Sequence, residues 1–178
     1  YERDANNLPT EDNTLDFAYS IGVLHHIIDT ESAIKKVSVK LKSKAPFLIY
    51  LYYAFDNRNL LFKLIWRISN IIRKIISRLP RPIKYLLCEI IAGLVYFPLA
   101  KTIKFLEIIG FNVSSFPLSF YRNSSYYIMR NDALDRFGTR IENRFSKKQI
   151  YSMLEKANFE NIVFHEKEPY WCALAYKK

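Results

Sequence analysis

TLDFAYSIGVLHHIIDTESAIKKVSVKLKSKAPFLIYLYYA, residues 14–54, is the stretch whose reading decides the fold. Its opening TLDFAYSI (14–21) reads as a short buried strand, entered from a polar, turn-like stretch between Pro9 and Asn13. Asp29 or Thr30 then stands where a helix cap belongs, with Glu31 favourably placed in the first turn. Ile34, Val37 and Leu41 recur at intervals of three and four, which predicts an amphipathic helix. APFLIYLYYA (45–54) is free of charge, rich in aromatics, and bounded by a lysine cluster and Asp56. That composition predicts a strand covered on both faces, as in a parallel sheet. Strand, helix and strand within about 40 residues make one βαβ unit, and hence a parallel α/β sheet.

Outward from that unit, residues 60–79 (LLFKLIWRISNIIRKIISRL) predict a helix stopped by Pro80 and Pro82. Lys63, Arg67, Asn70, Lys74 and Arg78 form one polar stripe on it, and most of the rest is apolar. The expectation is that Trp66 and the isoleucines pack against a second helical stretch, 83–109, while Lys63, Arg67 and Lys74 face water. That second stretch is expected to break at Pro98. Its longest charge-free run, Ile90–Ala100, falls short of the roughly 20 residues a bilayer span requires, so it is not expected to cross a membrane. Ser146 to Gln149 is a capping box ahead of Ile150, Met153, Leu154 and Ala157 at helical spacing. Residues 161–166 and 170–176 predict two antiparallel strands joined at Glu168-Pro169. The organisation expected is therefore 1–55 and 136–178 as sheet-bearing segments, with 56–135 a helical insertion between them.

The 178 residues suffice for a real core, and half of them are apolar. No charged and apolar leader with a cleavage site opens the chain, so no signal peptide is expected. Cys88 and Cys172 are the only cysteines, each inside an apolar run without metal-ligand spacing. They predict buried thiols in a reducing, cytoplasmic setting. The net charge of +10 is concentrated in residues 35–85, which hold thirteen basic residues against Asp56 alone. Such a block attracts nucleic acid, anionic lipid or an acidic substrate, or is a solvated face without a partner.

Residues 4–53 resemble the second half of a class I S-adenosylmethionine-dependent methyltransferase of the type 11 kind. The likeness rests on Asp4-Ala5-x-x-Leu8-Pro9, the acidic loop Glu11-Asp12-Asn13, and a strand running into Ser20-Ile21-Gly22-Val23-Leu24-His25-His26. It continues with the Asp29-Thr30-Glu31 helix start and a basic turn into a strand, and reappears from Asp135 through Tyr170-Trp171-Cys172-Ala173. The resemblance implies a Rossmann-like, doubly wound α/β sheet, present as its C-terminal part, with an inserted helical cap and a terminal antiparallel hairpin. It implies methyl transfer from S-adenosyl-L-methionine to a small, partly hydrophobic acceptor. Asp4 would accept a hydrogen bond from the adenine amino group and the Ala5 amide would meet a ring nitrogen. The carbonyls of Ile21 and Gly22 would face the methionine amine. Four scattered glycines (22, 93, 110 and 138) form no glycine-rich cofactor loop. On the family pattern that loop would lie about 90 residues upstream, three strand–helix units of ~30 residues. The chain by itself is then expected to be inactive.

His25 and His26 are the candidate general bases, since imidazole titrates near neutrality; holding the loop is the alternative role. No third ligand accompanies them at metal spacing. Tyr121, Arg122 and Arg130, in a segment mixing aromatics with arginine, are candidates for the acceptor pocket or are packed surface residues. Arg136, Arg140 and Arg144 recur every four residues and predict one basic helical edge. The rival function is a peripheral membrane or partner-binding module built on helix 60–79. Nucleic-acid methylation ranks last, because charge alone supports it.

Overall fold

Ala18–Ile21 (β1) pairs in parallel with Pro46–Tyr50 (β2), Ala18 opposite Phe47 and Ile21 opposite Tyr50, in a computed structural model describing residues 9–114, 116–167 and 170–178. The helix between them, Thr30–Lys40 (α1), is capped by Asp29, whose carboxylate accepts from the Ser32 amide at 2.9 Å. Lys147–Lys156 (α6) starts at the capping box, with both the Ser146 and Gln149 arms in place. Phe159–Phe164 (β3) and Cys172–Lys177 (β4) are antiparallel. The last strand enters the middle of the sheet, giving the order β1-β2-β4-β3, so the sheet is mixed and open. The expected junction at Glu168-Pro169 lies outside the described residues.

Ile34, Val37 and Leu41 of α1 and Ile150, Met153 and Leu154 of α6 share one core with Phe47, Ile49, Ala173 and Ala175. The register puts those four strand residues on one face of the sheet. On the other face Leu48, Tyr50, Cys172 and Leu174 are only half-buried and Tyr19 and Val163 are exposed, so the double cover expected for β2 is absent among the described residues. The strands are also shorter than predicted, because Leu15 forms only a single bridge, to Leu41, and β2 ends at Tyr50.

Two compact units make up the chain: residues 1–57 with 141–178, and residues 58–140. The second is helical: Leu60–Ile76 (α2), Arg81–Ile91 (α3), a wide π turn at Ala92–Tyr96, Phe97–Ile108 (α4) and Tyr126–Gly138 (α5). Its core joins Ile76, Cys88, Ala92, Tyr96, Ala100, Met129, Ala133 and Phe137. Pro98 does not break this helix. It follows directly on the π turn, where the backbone ladder is already rearranged and the missing amide does least harm. The uninterrupted helix Arg81–Ile108 has 28 residues and is long and apolar enough to cross a membrane by length and composition, contrary to the sequence expectation.

Helix α2 is turned the other way round from the prediction. Leu61, Leu64, Ile65, Ile68, Ile71, Ile72 and Ile75 are exposed, whereas Arg73 and Ser77 are buried and Trp66, Lys63 and Asn70 half-buried. Arg67 and Lys74 do face water, as expected. The reason lies at the end of α5, whose terminal carbonyls need donors. Arg73 donates to the Thr139 and Arg140 carbonyls at 2.8 and 3.2 Å, and its Nε donates to the Asn70 side chain at 2.9 Å. Lys84 donates to the Gly138 carbonyl. These cations suit the negative end of a helix dipole, so the polar stripe of α2 is drawn inward. The basic edge predicted from Arg136, Arg140 and Arg144 does not form. Helix α5 stops at Gly138, Arg136 lies over the Trp66 and Phe137 rings, and Arg144 belongs to the sheet-bearing unit.

Candidate functional site

Parallel strands β1 and β2 end side by side, and the carboxyl ends of such strands are where open α/β sheets bind ligands. Gly22 leaves β1 with φ +69°, a conformation that L side chains rarely adopt, and its amide donates to the Tyr50 carbonyl at 3.1 Å. Among the described residues nothing lies within 4 Å of where a Cβ would sit, and the Ile21 side chain is exposed. Asp4 and Ala5 lie outside the described residues.

A single 3-10 turn, Leu24–His26, follows Gly22 and Val23. His25 is fully buried and stacks on the Tyr52 ring at 3.7 Å. Among the described residues neither of its ring nitrogens has a hydrogen-bond partner. Burial, then the neighbouring His26, pushes its pKa down to about 4; Glu142 acts in the opposite sense and Arg144 in the same one. His25 is therefore a neutral imidazole at physiological pH. His26 is half-buried, and its Nδ1 donates to the Ile141 carbonyl at 2.8 Å. That bond selects the tautomer in which Nε2 is the basic nitrogen.

Residues 141–145 are pinned across these strand ends. The Asn143 amide donates to the His25 carbonyl at 2.9 Å, the Asn143 side chain donates to the Ile27 carbonyl at 2.8 Å, and Phe145 pairs with Tyr53. Arg144 donates to Glu142 at 2.9 Å and to the Tyr53 carbonyl at 3.3 Å. Its guanidinium carbon stands 4.9 Å from the Tyr52 ring centre and 4.6 Å from that of Phe55. Burial pushes the Tyr50 phenol upward, so it stays a neutral hydrogen-bonding group. A cleft of about 480 Å³ opens beside Arg144, between the first turn of α1 and α6. The carboxylates at its mouth are already engaged, Asp29 as a helix cap and Glu31 with Lys35 and Lys156.

The structure thus gathers Ile21, Gly22, His25 and His26 at the strand ends, together with Tyr50, Tyr52 and Glu142, which the sequence does not single out, and Arg144, expected on a helical edge instead. The aromatic run 50–53 was the available signal for the tyrosines. Nothing in the spacing places Arg144 beside them. Tyr121, Arg122 and Arg130 belong to the helical unit. There Tyr121 packs against Tyr96, Arg122 donates to Glu107 at 2.9 Å, and Arg130 pairs with Glu89 while lying over the Tyr127 ring.

Residues 1–49 match the family described as methyltransferase domain, a span that takes in β1, α1 and most of β2. That span is what the chain shares with the methyltransferase domain. Comparison with curated proteins gave no match. Among solved structures, one described as a "possible exported protein" from Bordetella parapertussis superposes with a TM-score of 0.50 at 12% identity, covering 98% of this chain and 42% of that one. A SAM-dependent methyltransferase from Thermotoga maritima gives 0.45 at 15% identity, with 98% and 61% covered. Human N-acetylserotonin methyltransferase in complex with SAM gives 0.47 at 12% identity, with 99% and 33% covered. The chain therefore spans between a third and about three-fifths of the length of these three structures. The likeness is one of fold, and the methyltransferase family enters through the sequence match.

Proposed function

We propose that this chain takes part in methyl transfer from S-adenosylmethionine to a small, partly apolar acceptor, in a cytoplasmic setting. The observation that carries the reading is that the methyltransferase match over residues 1–49 ends in β2, where the β1–α1–β2 unit presents its open strand edge. The residues there suit the cofactor. Gly22 offers bare backbone with free space in front of it among the described residues, and Ile21 beside it is exposed. Ile21 and Gly22 would hold the methionine end, and Asp4 with Ala5 the adenine. S-adenosylmethionine supplies a methyl group on a sulfonium, already electrophilic.

What is left to the protein is mostly alignment of the acceptor, which by itself lowers a barrier substantially. His26, with Nδ1 committed to Ile141, keeps Nε2 as the nitrogen able to take a proton from an acceptor hydroxyl or amine. His25, neutral and stacked on Tyr52, fits the role of positioning that turn rather than of carrying a proton. Tyr50, Tyr52 and Arg144 supply an aromatic wall with one fixed cation, which suits an acceptor with an apolar body.

The test uses protein expressed from the complete reading frame. Asp4→Ala is expected to weaken S-adenosylmethionine binding by calorimetry by roughly 5- to 150-fold, the equivalent of ~1–3 kcal/mol for a lost hydrogen bond of this kind. The melting curve should be unchanged. Failure of the wild-type protein to bind the cofactor overturns the reading; normal binding by the variant removes Asp4 from the site.

A further inference from the structure

On α2 an apolar face is turned outward, and the charge beside it points to what covers that face. At 100° per residue, the leucines and isoleucines from Leu60 through Ile75 fall on an arc of about 140°. Every large aliphatic on that arc is exposed, from 43% at Ile72 to 84% at Leu60. A helix of a water-soluble protein normally does the reverse and keeps such an arc inside. Here the inward side holds Arg73, Asn70 and Ser77 beside the one buried isoleucine, Ile76, so rotating α2 to bury the outward isoleucines would leave the carbonyls after α5 without their donor. The outward arc is thus fixed by the internal hydrogen bonds of the helical unit.

Arg67 and Lys74 run along one edge of this arc, both exposed to water. From Asn57 to Cys88 the chain has eight basic residues and no acidic one. That charge argues against a second copy of the chain as the cover, since two such basic edges would repel on contact. It is complementary to phosphate headgroups. An outward apolar arc bordered by lysine and arginine is the pattern of a helix lying in a lipid interface, aliphatics in the acyl boundary and cations on the phosphates.

We propose that α2 seats the protein on an anionic membrane surface, with Leu64, Ile68, Ile71 and Ile75 entering the interface and Arg67 and Lys74 held by lipid phosphates. The proposal is independent of the methyl-transfer reading, because it needs neither cofactor nor acceptor.

The test is sedimentation of the protein from the complete reading frame with vesicles of phosphatidylcholine alone or with phosphatidylglycerol. Binding is expected to the anionic vesicles only, and to fall steeply between about 50 and about 500 mM salt. Arg67→Glu with Lys74→Glu should weaken binding at least tenfold, at about 1 kcal/mol per surface cation removed and more on reversal. Ile68→Ser with Ile71→Ser should do the same. All four positions are exposed, and circular dichroism melts should confirm that these variants fold. No binding to anionic vesicles at low salt, or equal binding by the folded variants, overturns the proposal. So does wild-type protein that elutes as a dimer and becomes monomeric in the isoleucine variant, which makes the cover a second copy. Protein that resists extraction by alkaline carbonate overturns it too, in favour of a spanning helix at Arg81–Ile108.

Discussion

His25 shows how one buried side chain couples the strand-end turn to solution pH. Its folded pKa of about 4 lies below the ordinary histidine value of 6.5. Between those values the unfolded chain takes up a proton that the folded chain refuses, so stability is full above pH 6.5 and declines as pH falls towards 4. The loss attributable to this group is at most on the order of 3 kcal/mol. Phenylalanine retains the stack on Tyr52 without a titrating nitrogen, so His25→Phe should flatten the decline between pH 7 and pH 5 in urea titrations. An unchanged slope in the variant would assign the decline to other groups.

At the level of elements, the α2–α5 pairing rests on the Arg73 hydrogen bonds as well as on the packing of Ile76 against Met129, Ala133 and Phe137. Arg73→Met keeps the length of the side chain but strands the Thr139 and Arg140 carbonyls. It should lower the stability of the helical unit by about 2–3 kcal/mol, the range for hydrogen bonds to a charged donor. Trp66 fluorescence in a Trp171→Phe background reads that unit directly, since the remaining tryptophan lies on α2. Arg73→Met unfolding at the wild-type midpoint would show the cap to be dispensable. This pairing also marks the limit of what the sequence reveals. The βαβ unit, the capping box at Ser146 and the existence of α2 were legible because each is written in local spacing: period-three-and-four apolar residues, a cap and its reciprocal glutamine, a proline stop. The outward face of α2 was not, because it is decided by carbonyls more than sixty residues away that compete for Arg73. At the candidate site Gly22 and the histidine pair were legible as a strand-end turn. Arg144 was not, since its place depends on residues 141–145 crossing back over β1 and β2.

For the molecule as a whole, the sheet-bearing unit pairs its own segments from either side of residues 58–140 in the chain. Tyr53 pairs with Phe145, the Ala54 amide donates to the Phe145 carbonyl at 2.9 Å, and Asp56 accepts from the Lys147 amide. Because that pairing is parallel, residues 57 and 141 stand at its opposite ends. Replacing residues 58–140 by a glycine-serine linker long enough to run back along it should leave the strand signal in circular dichroism and a cooperative melt, since loop closure costs little more as a flexible loop lengthens. In protein from the complete reading frame the excision should retain S-adenosylmethionine affinity within a few-fold. A non-cooperative melt would show that the sheet-bearing unit requires the helical one. The strand order carries a consequence for synthesis on the ribosome. Because β4 lies between β2 and β3 and follows both in the chain, the sheet stays in two pieces until β4 leaves the exit tunnel, after residues 58–140 have emerged. A nascent chain stalled before β4 emerges would carry a finished helical unit and an unzipped sheet, with the apolar row of β2 open to chaperones.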